Sequence, residues 1–276
     1  MKTLKVKILG NGGAAQKHKN AFAELPEMYQ ITNSDDYDIV DICTPNYLHY
    51  DQICSYISTY HVIVEKPLCG SLTEIDNLIR IETRGNCKIF PIFQYRYAGH
   101  DLFARSIINF WRRDKSYYDS WRGKWDQALG GCLTSHAIHA IDLFLQYNQM
   151  PLMVSAGLNT HSGPETLADI FLGEPGDMFR ISAVISPHVS TRGFNFGDQQ
   201  RGFVEQFRRI HTAITEDEVA PVTLQEARNS LEILTAAYYS AYIKEPVMLP
   251  IEQDHPFYPG WTKHFAQPAL RIPVSR

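Results

Sequence analysis

The sequence predicts an α/β chain whose first part is a parallel sheet wound with helices and whose second part is α+β, with a mostly antiparallel sheet. Three observations carry this. Residues 4–9 (LKVKIL) form a short strand-like run that leads directly into Gly10-Asn11-Gly12-Gly13-Ala14-Ala15 and then a helical pattern. Two further apolar runs, 37–43 (YDIVDIC) and 62–64 (VIV), alternate with helical segments as βαβ units do. Beyond residue 150 the strand-like runs 153–158, 168–171 and 179–185 are separated only by Ser-Gly-Pro and Gly-Glu-Pro-Gly turns. The division is expected near residue 95, giving parts 1–95 and 96–276.

The first element carries chemistry. Gly10, Gly12 and Ala15 match G-x-G-x-x-G/A placed after a strand and before a helix. Gly10 allows the tight turn, Gly12 lets backbone amides approach a pyrophosphate, and Ala15 permits close helix-to-strand packing. Asn11, Gly13 and Ala14 complete the turn. The helix predicted over 14–25 aims its positive end at the phosphates. The other reading is an ordinary glycine turn.

The next strands end in Thr44-Pro45-Asn46, followed by a helix over 49–59, and in Glu65-Lys66-Pro67. Ligand-contacting residues in such sheets sit beyond the carboxyl ends of the strands, so these segments should share an edge with the glycine loop. G-N-G-G-A-A-Q-K-H, D-I-C-T-P-N-Y-L-H and V-E-K-P-L together resemble the Gfo/Idh/MocA family of nicotinamide-dependent oxidoreductases, which act mostly on sugars, sugar nucleotides or cyclitols. The resemblance implies a shortened Rossmann-like first domain and NAD or NADP as cofactor. It implies that Lys66 lies beside the nicotinamide and the substrate hydroxyl, with Glu65 next to it. It also implies that Cys43 to His49 runs along the cofactor, which brings in Thr44, Pro45, Asn46 and His49.

Length departs from that pattern. About 60 residues lead from Leu4 to Glu65, where five parallel strands and four helices need roughly 80 to 100. At least one βα unit is missing, between Leu25 and Tyr37. Residues 28–32 (MYQIT) read as a remnant second strand, but a parallel crossover needs a dozen or more residues. The remnant is therefore expected to pair antiparallel or to stay out of the sheet. Asp35 and Asp36 fall at the distance from the glycines where an acidic residue binds the adenosine ribose, and equally read as turn residues.

Ser71-Leu72-Thr73-Glu74 is a capping box for a helix to about Thr83. Residues 88–93 read as a strand that Pro91 places at an edge or under local strain. Arg96, in the following Gln94-Tyr95-Arg96-Tyr97, either orients a polar substrate through its fork of donors or bridges two domains. Farther on, Trp121-Arg122-Gly123-Lys124-Trp125 and Gly130-Gly131-Cys132-Leu133-Thr134-Ser135-His136-Ala137-Ile138-His139-Ala140-Ile141-Asp142 resemble a family segment in which an aspartate and a histidine share the work with the lysine. Matched residue by residue, the histidine is His139 and the aspartate is replaced by Ser135. The arrangement is similar to a W-R-G-K-W / H-A-I-H subgroup with a second histidine, here His136. Histidines titrate near neutrality and suit proton transfer to or from a hydroxyl; core packing among alanines and isoleucines is the other reading. Trp121, Arg122 and Trp125, with Ser135, His136 and His139, are the expected substrate contacts. Asp142 caps or orients. His-x-x-His lacks a third ligand at a metal-site spacing, so no metal is expected.

Helices are expected over 203–214 and 223–242, both as scaffold, and the aromatics of 255–261 are expected to dock the tail. The second sheet has room for about one strand after Ile185. A formal charge of −4 and a sequence pI near 6.2 argue against nucleic acid as a partner. No run approaching the roughly 20 apolar residues of a membrane helix is expected, and five scattered cysteines without a C-x-x-C pair read as reduced thiols. The expectation is a cytoplasmic enzyme moving hydride to or from a secondary alcohol of a small polyol or sugar. It would form a homodimer or homotetramer through the C-terminal sheet. Two alternatives stand beside it: a non-redox metabolite-binding relative, and a nicotinamide-assisted dehydratase or glycosidase.

Overall fold

A computed structural model describes residues 2–99, 106–159, 163–174, 176–188, 192–193 and 195–266. The first sheet holds five strands, β1 (Leu4–Leu9), β2 (Tyr29–Ile31), β3 (Ile39–Ile42), β4 (His61–Val64) and β5 (Ile89–Pro91), in the order β2-β1-β3-β4-β5. Every pairing is parallel. Helix α1 (Gly13–Ala23) joins β1 to β2, α2 (His49–Tyr56) joins β3 to β4, and α3 (Leu72–Arg84) joins β4 to β5. Proline closes β5 at the sheet edge, where its missing N–H costs no ladder bond.

β2 corrects the sequence expectation, because it is in the sheet and parallel. The register shows how. β2 pairs only with the first residues of β1, ending at Ile31 opposite Val6, and β3 begins with Ile39 opposite the same Val6. The chain thus leaves β2 and enters β3 at one height, and residues 32–38 need only pass sideways across β1. The dozen-residue rule applies to strands that run the full depth of a sheet. No helix joins β2 to β3, so the shortfall falls where it was expected.

α3 is capped as the sequence implies at one end of the box: Ser71 Oγ accepts from Glu74 N. The Glu74 carboxylate accepts from Gly70 N instead of Ser71 N.

Alternation along the strands gives the sheet two apolar faces. Val40, Val62, Val64 and Ile89 join the larger core, which continues into the second part of the chain. Leu4, Ile39, Ile63 and Phe90 pack with Phe22 of α1 and with Phe203, Phe207 and Ile210. Those last three belong to α6 (Gln199–Thr215), far along the chain, so the C-terminal half covers one face of the N-terminal sheet.

The second sheet has the order β10-β6-β9-β8-β7-β11, with β6 (Ser106–Arg112), β7 (Met153–Asn159), β8 (Leu167–Glu174), β9 (Asp177–Ser186), β10 (Arg192–Gly193) and β11 (Val247–Met248). All pairs are antiparallel except β6 with β9. β6, which the sequence reading passed over, supplies Trp111 and leads to Arg113. Between the sheets lie α4 (Trp125–Ala128), a π-helical turn over Leu133–Ala137, and α5 (Ile138–Tyr147). Residues Trp125–Tyr147 are apolar and long enough to pass as a membrane span, against expectation, but 83% of that window is buried within this protein, so it is core. α7 (Leu224–Ile243) begins with a full capping box, Thr223 and Glu226. The tail packs Phe257 and Trp261 into the core, Trp261 stacking on Tyr238 at 4.8 Å, and α8 (Thr262–Phe265) follows.

Candidate active site

The C-terminal edge of the first sheet faces the second part of the chain across a cavity of about 680 Å³. Loops after β1, β3, β4 and β5 line one wall, including Gly10, Asn11, Gly12, Gly13, Ala14, Thr44, Pro45, Asn46, Glu65 and Lys66. The other wall brings Trp121, Arg122, Ser135, His136 and His139. Most of the residues singled out in the sequence thus converge on one cavity.

The glycine loop is built for close approach. At Gly10, φ is +111°, and a Cβ would lie 2.5 Å from the Cys43 carbonyl oxygen. A Cβ at Gly12 or Gly13 would meet no atom within 4 Å, so that side of the loop opens to the cavity. Ala15, in the first turn of α1, is fully buried and does not line the cavity, in keeping with a packing role.

Lys66 extends from the end of β4 and donates from Nζ to the Ser135 carbonyl oxygen at 2.9 Å. Ser135 Oγ donates to the Gly131 carbonyl at 2.6 Å, so the hydroxyl is turned back into its own turn. Burial lowers the Lys66 pKa, with Lys17 and Arg122 adding to the effect and Glu65 opposing it. His136 stacks on Trp111 at 4.3 Å, and His139 meets Tyr95 edge-on at 4.7 Å. Burial, then the charge of Lys66, holds both rings well below their ordinary value, so both are neutral imidazoles. His136 Nε2 and His139 Nδ1 are buried without a protein partner, as are Gln94 Oε1 and Tyr118 Oη, and all four residues line the cavity. Such orphaned atoms around one space call for a ligand.

Behind Lys66 lies a buried charge cluster that the sequence reading did not find. His18 of α1 bonds Asp41 of β3 through Nδ1 at 2.9 Å and Glu65 through Nε2 at 3.2 Å. Burial would lower the His18 pKa, but Asp41 outweighs it and raises it well above 6.5, making an imidazolium. Burial likewise works against the Glu65 carboxylate, yet the His18 hydrogen bond and the Lys66 charge hold it at about 2. Burial, with Asp41 beside it, pushes the Cys43 thiol up to about 12. His18, Asp41 and Cys43 could together offer metal ligands, but both His18 nitrogens are already taken by Asp41 and Glu65. Histidine eight residues after the first glycine, paired with Asp41 in an otherwise apolar strand, was the available signal.

Five candidates lie elsewhere. His49 is buried and bonds the carbonyls of Pro67 and Thr44 at 2.8 and 2.9 Å, tying the β3 and β4 loops together instead of facing the cavity. Arg96 is buried with Asp142, through Nε and Nη2, and with Glu226, through Nη1, so each of its nitrogens is already paired, and with partners that lie, like Arg96 itself, in the second part of the chain. Trp125 packs in the core against Phe265 at 4.8 Å and Tyr238 at 6.0 Å. Asp35 and Asp36 pair with Lys7 and Lys5 of β1 and do not line the cavity.

The Gly130-Gly131 turn before the histidines is held by Glu165, which accepts from Gly131 N at 2.8 Å, Leu133 N at 3.0 Å and Tyr238 Oη at 2.7 Å. Burial raises its carboxyl to about 7 against those hydrogen bonds. A Cβ at Gly131 would lie 2.0 Å from the Glu165 carbonyl oxygen, which is why glycine stands there.

Residues 5–93 match the model of an oxidoreductase family with an NAD-binding Rossmann fold, Gfo/Idh/MocA. The match spans the strands β1 to β5 of the N-terminal sheet. The whole chain shares its fold with solved structures. One is the WlbA dehydrogenase from Bordetella pertussis in complex with NADH and UDP-GlcNAcA, at TM-score 0.78 and 19% identity over 91% of this chain and 98% of that one. GenD2 from gentamicin A biosynthesis in complex with NAD matches at 0.75 and 17% over 91% and 97%. Levoglucosan dehydrogenase in complex with NADH and levoglucosan matches at 0.73 and 18% over 91% and 100%. The cavity lies where the open ends of the strands of a parallel sheet receive a ligand.

Proposed function

We propose that this protein is an NAD(P)-dependent dehydrogenase acting on a secondary alcohol of a sugar, sugar nucleotide or cyclitol. The observation that carries the reading is one cavity joining the open glycine loop to Lys66 and to two neutral, unpartnered histidine nitrogens. The loop fits a dinucleotide: Gly12 and Gly13 leave its face clear, and Thr44, Pro45 and Asn46 border the same space.

Nicotinamide, when bound, supplies or accepts the hydride. The chain's own residues handle the proton. His139, neutral and with Nδ1 free, accepts the hydroxyl proton in oxidation and returns it in reduction. Lys66, anchored on the Ser135 carbonyl, directs its remaining donors at the same oxygen and stabilises negative charge developing there. His136, fixed by Trp111, offers Nε2 to a neighbouring hydroxyl. The division near residue 95 separates the cofactor side from the substrate side.

Titration of the purified full chain with NADH or NADPH, read by nucleotide fluorescence, tests this. Saturable binding abolished by Gly12→Asp is expected; absence of binding at millimolar nucleotide overturns the reading. We further assign the molecule to the cytoplasm, as a homodimer or homotetramer. The second sheet would form the interface, since one of its faces exposes Ile108 and Phe171; sedimentation equilibrium showing a monomer would refute the assembly.

A further inference from the structure

We infer that the substrate carries an anionic group, a carboxylate or phosphate, which Arg113 and Arg122 receive on the second wall of the cavity. The inference rests on the dehydrogenase reading only in treating the anion's sugar ring as the hydride partner.

Both guanidinium groups reach one aromatic ring. Arg113 lies 5.6 Å and Arg122 5.0 Å from the centroid of Tyr117, and Arg122 also stands 4.4 Å over Trp121. Neither has an ion-pair partner among the described residues; one Nη1 donor of Arg113 goes to the Arg112 carbonyl. Two like charges held on one ring beside the cavity raise the local positive potential, which favours an anion there. Lys17 and Lys66 border the same cavity, where the lining holds one carboxylate, Glu65, so that even with Lys66 set against it Lys17, Arg113 and Arg122 remain in surplus. A neutral polyol would leave this surplus uncompensated.

Position separates this surplus from the dinucleotide. The glycine loop and Lys17 belong to the first sheet and α1. Arg113 follows β6 and Arg122 lies in the turn Trp121–Gly123, on the wall that also holds Trp111 and His136. Tyr117 and Trp121 carry the two guanidiniums on their faces and Trp111 carries His136, so the wall is aromatic and holds the two planar forks, which suit the oxygens of a carboxylate or phosphate.

The test titrates the full chain by calorimetry with glucose, glucuronate and glucose 6-phosphate at constant ionic strength, with and without NADH. At least one of the two anions should bind about tenfold or more tighter than glucose, the scale of one charge-assisted hydrogen bond. Glucuronate ahead assigns a carboxylate, and glucose 6-phosphate ahead assigns a phosphate. R113M or R122M should erase the preference, and R113K and R122K should retain part of it, with melting temperatures confirming folded protein. Equal binding of the three sugars, no binding of any, or a preference unchanged in both methionine variants overturns the inference. Anion preference without NADH binding would sink the dehydrogenase reading and leave this one standing; NADH binding without anion preference would do the reverse.

Discussion

Lys66 has one protein acceptor, a backbone carbonyl, where the resembling family has an aspartate. Its charge is therefore tuned by burial and by Glu65 behind it, with the His18–Asp41 pair buttressing Glu65. Lys66→Met and His139→Asn should each lower kcat by roughly 10²- to 10⁴-fold with the fastest sugar alcohol, as loss of a proton-handling group does, and steady-state kinetics check this. His18→Leu strips the counter-charge from two buried carboxylates and should cost about 3–5 kcal/mol in urea unfolding. The histidines also set a pH dependence. Folding holds His136 and His139 below 6.5, so the unfolded chain binds more protons there and their contribution to stability falls as pH drops below about 6.5. His18, raised, contributes fully throughout that range and loses its contribution only as pH rises through its elevated value. Glu165, raised to about 7, acts in the opposite sense between 7 and 4.5. The readout is therefore the difference in urea midpoint between the wild type and H136N/H139N, which should shrink as pH falls from about 7 to about 5.

At the scale of elements, what could be read from the sequence was whatever depends on local spacing. Glycines after a strand, Pro67 after Glu65-Lys66 and the paired histidines were legible because backbone conformation and face are local properties. What a side chain meets across the fold was not. Arg96 looked as available as Arg122, and only the approach of α5 and α7 shows that Asp142 and Glu226 engage it. Trp125 and Trp121 sit in one short segment, yet the tail aromatics bury the first and leave the second at the cavity. β2 was misread because its pairing depth with β1 is a register property that residue counts do not reveal. That depth has a cofactor consequence. β2 ends opposite Val6, three residues below the tip of β1, and Asp35 and Asp36 are held by lysines. No carboxylate on that strand stands at the adenosine ribose to favour a 2′-hydroxyl over a 2′-phosphate. The ratio of kcat/KM for NADH and NADPH should thus stay within about tenfold, below the several kcal/mol that a buried charge clash would impose. A hundredfold preference would show a recognition element elsewhere.

The whole molecule is interlocked across its two sheets. α6 lays Phe203, Phe207 and Ile210 on the N-terminal sheet, Phe207 stacks on Phe22 at 4.2 Å, and its carbonyl accepts from Tyr29 Oη at 2.7 Å. Phe207→Ala should cost about 3–5 kcal/mol, measured as a lower denaturant midpoint, although residue 207 is remote in sequence from the sheet it covers. That arrangement also sets a schedule during synthesis on the ribosome. β5 emerges with Leu4, Ile39, Ile63 and Phe90 covered on one side by α1 alone, and the helix that completes the cover follows roughly 120 residues later, about 6–25 s at ordinary elongation rates. For that interval the nascent sheet presents an apolar face to the cell, so early growth of this chain is where chaperones would be engaged, and a stalled product ending near residue 95 would be their substrate rather than a free-standing domain.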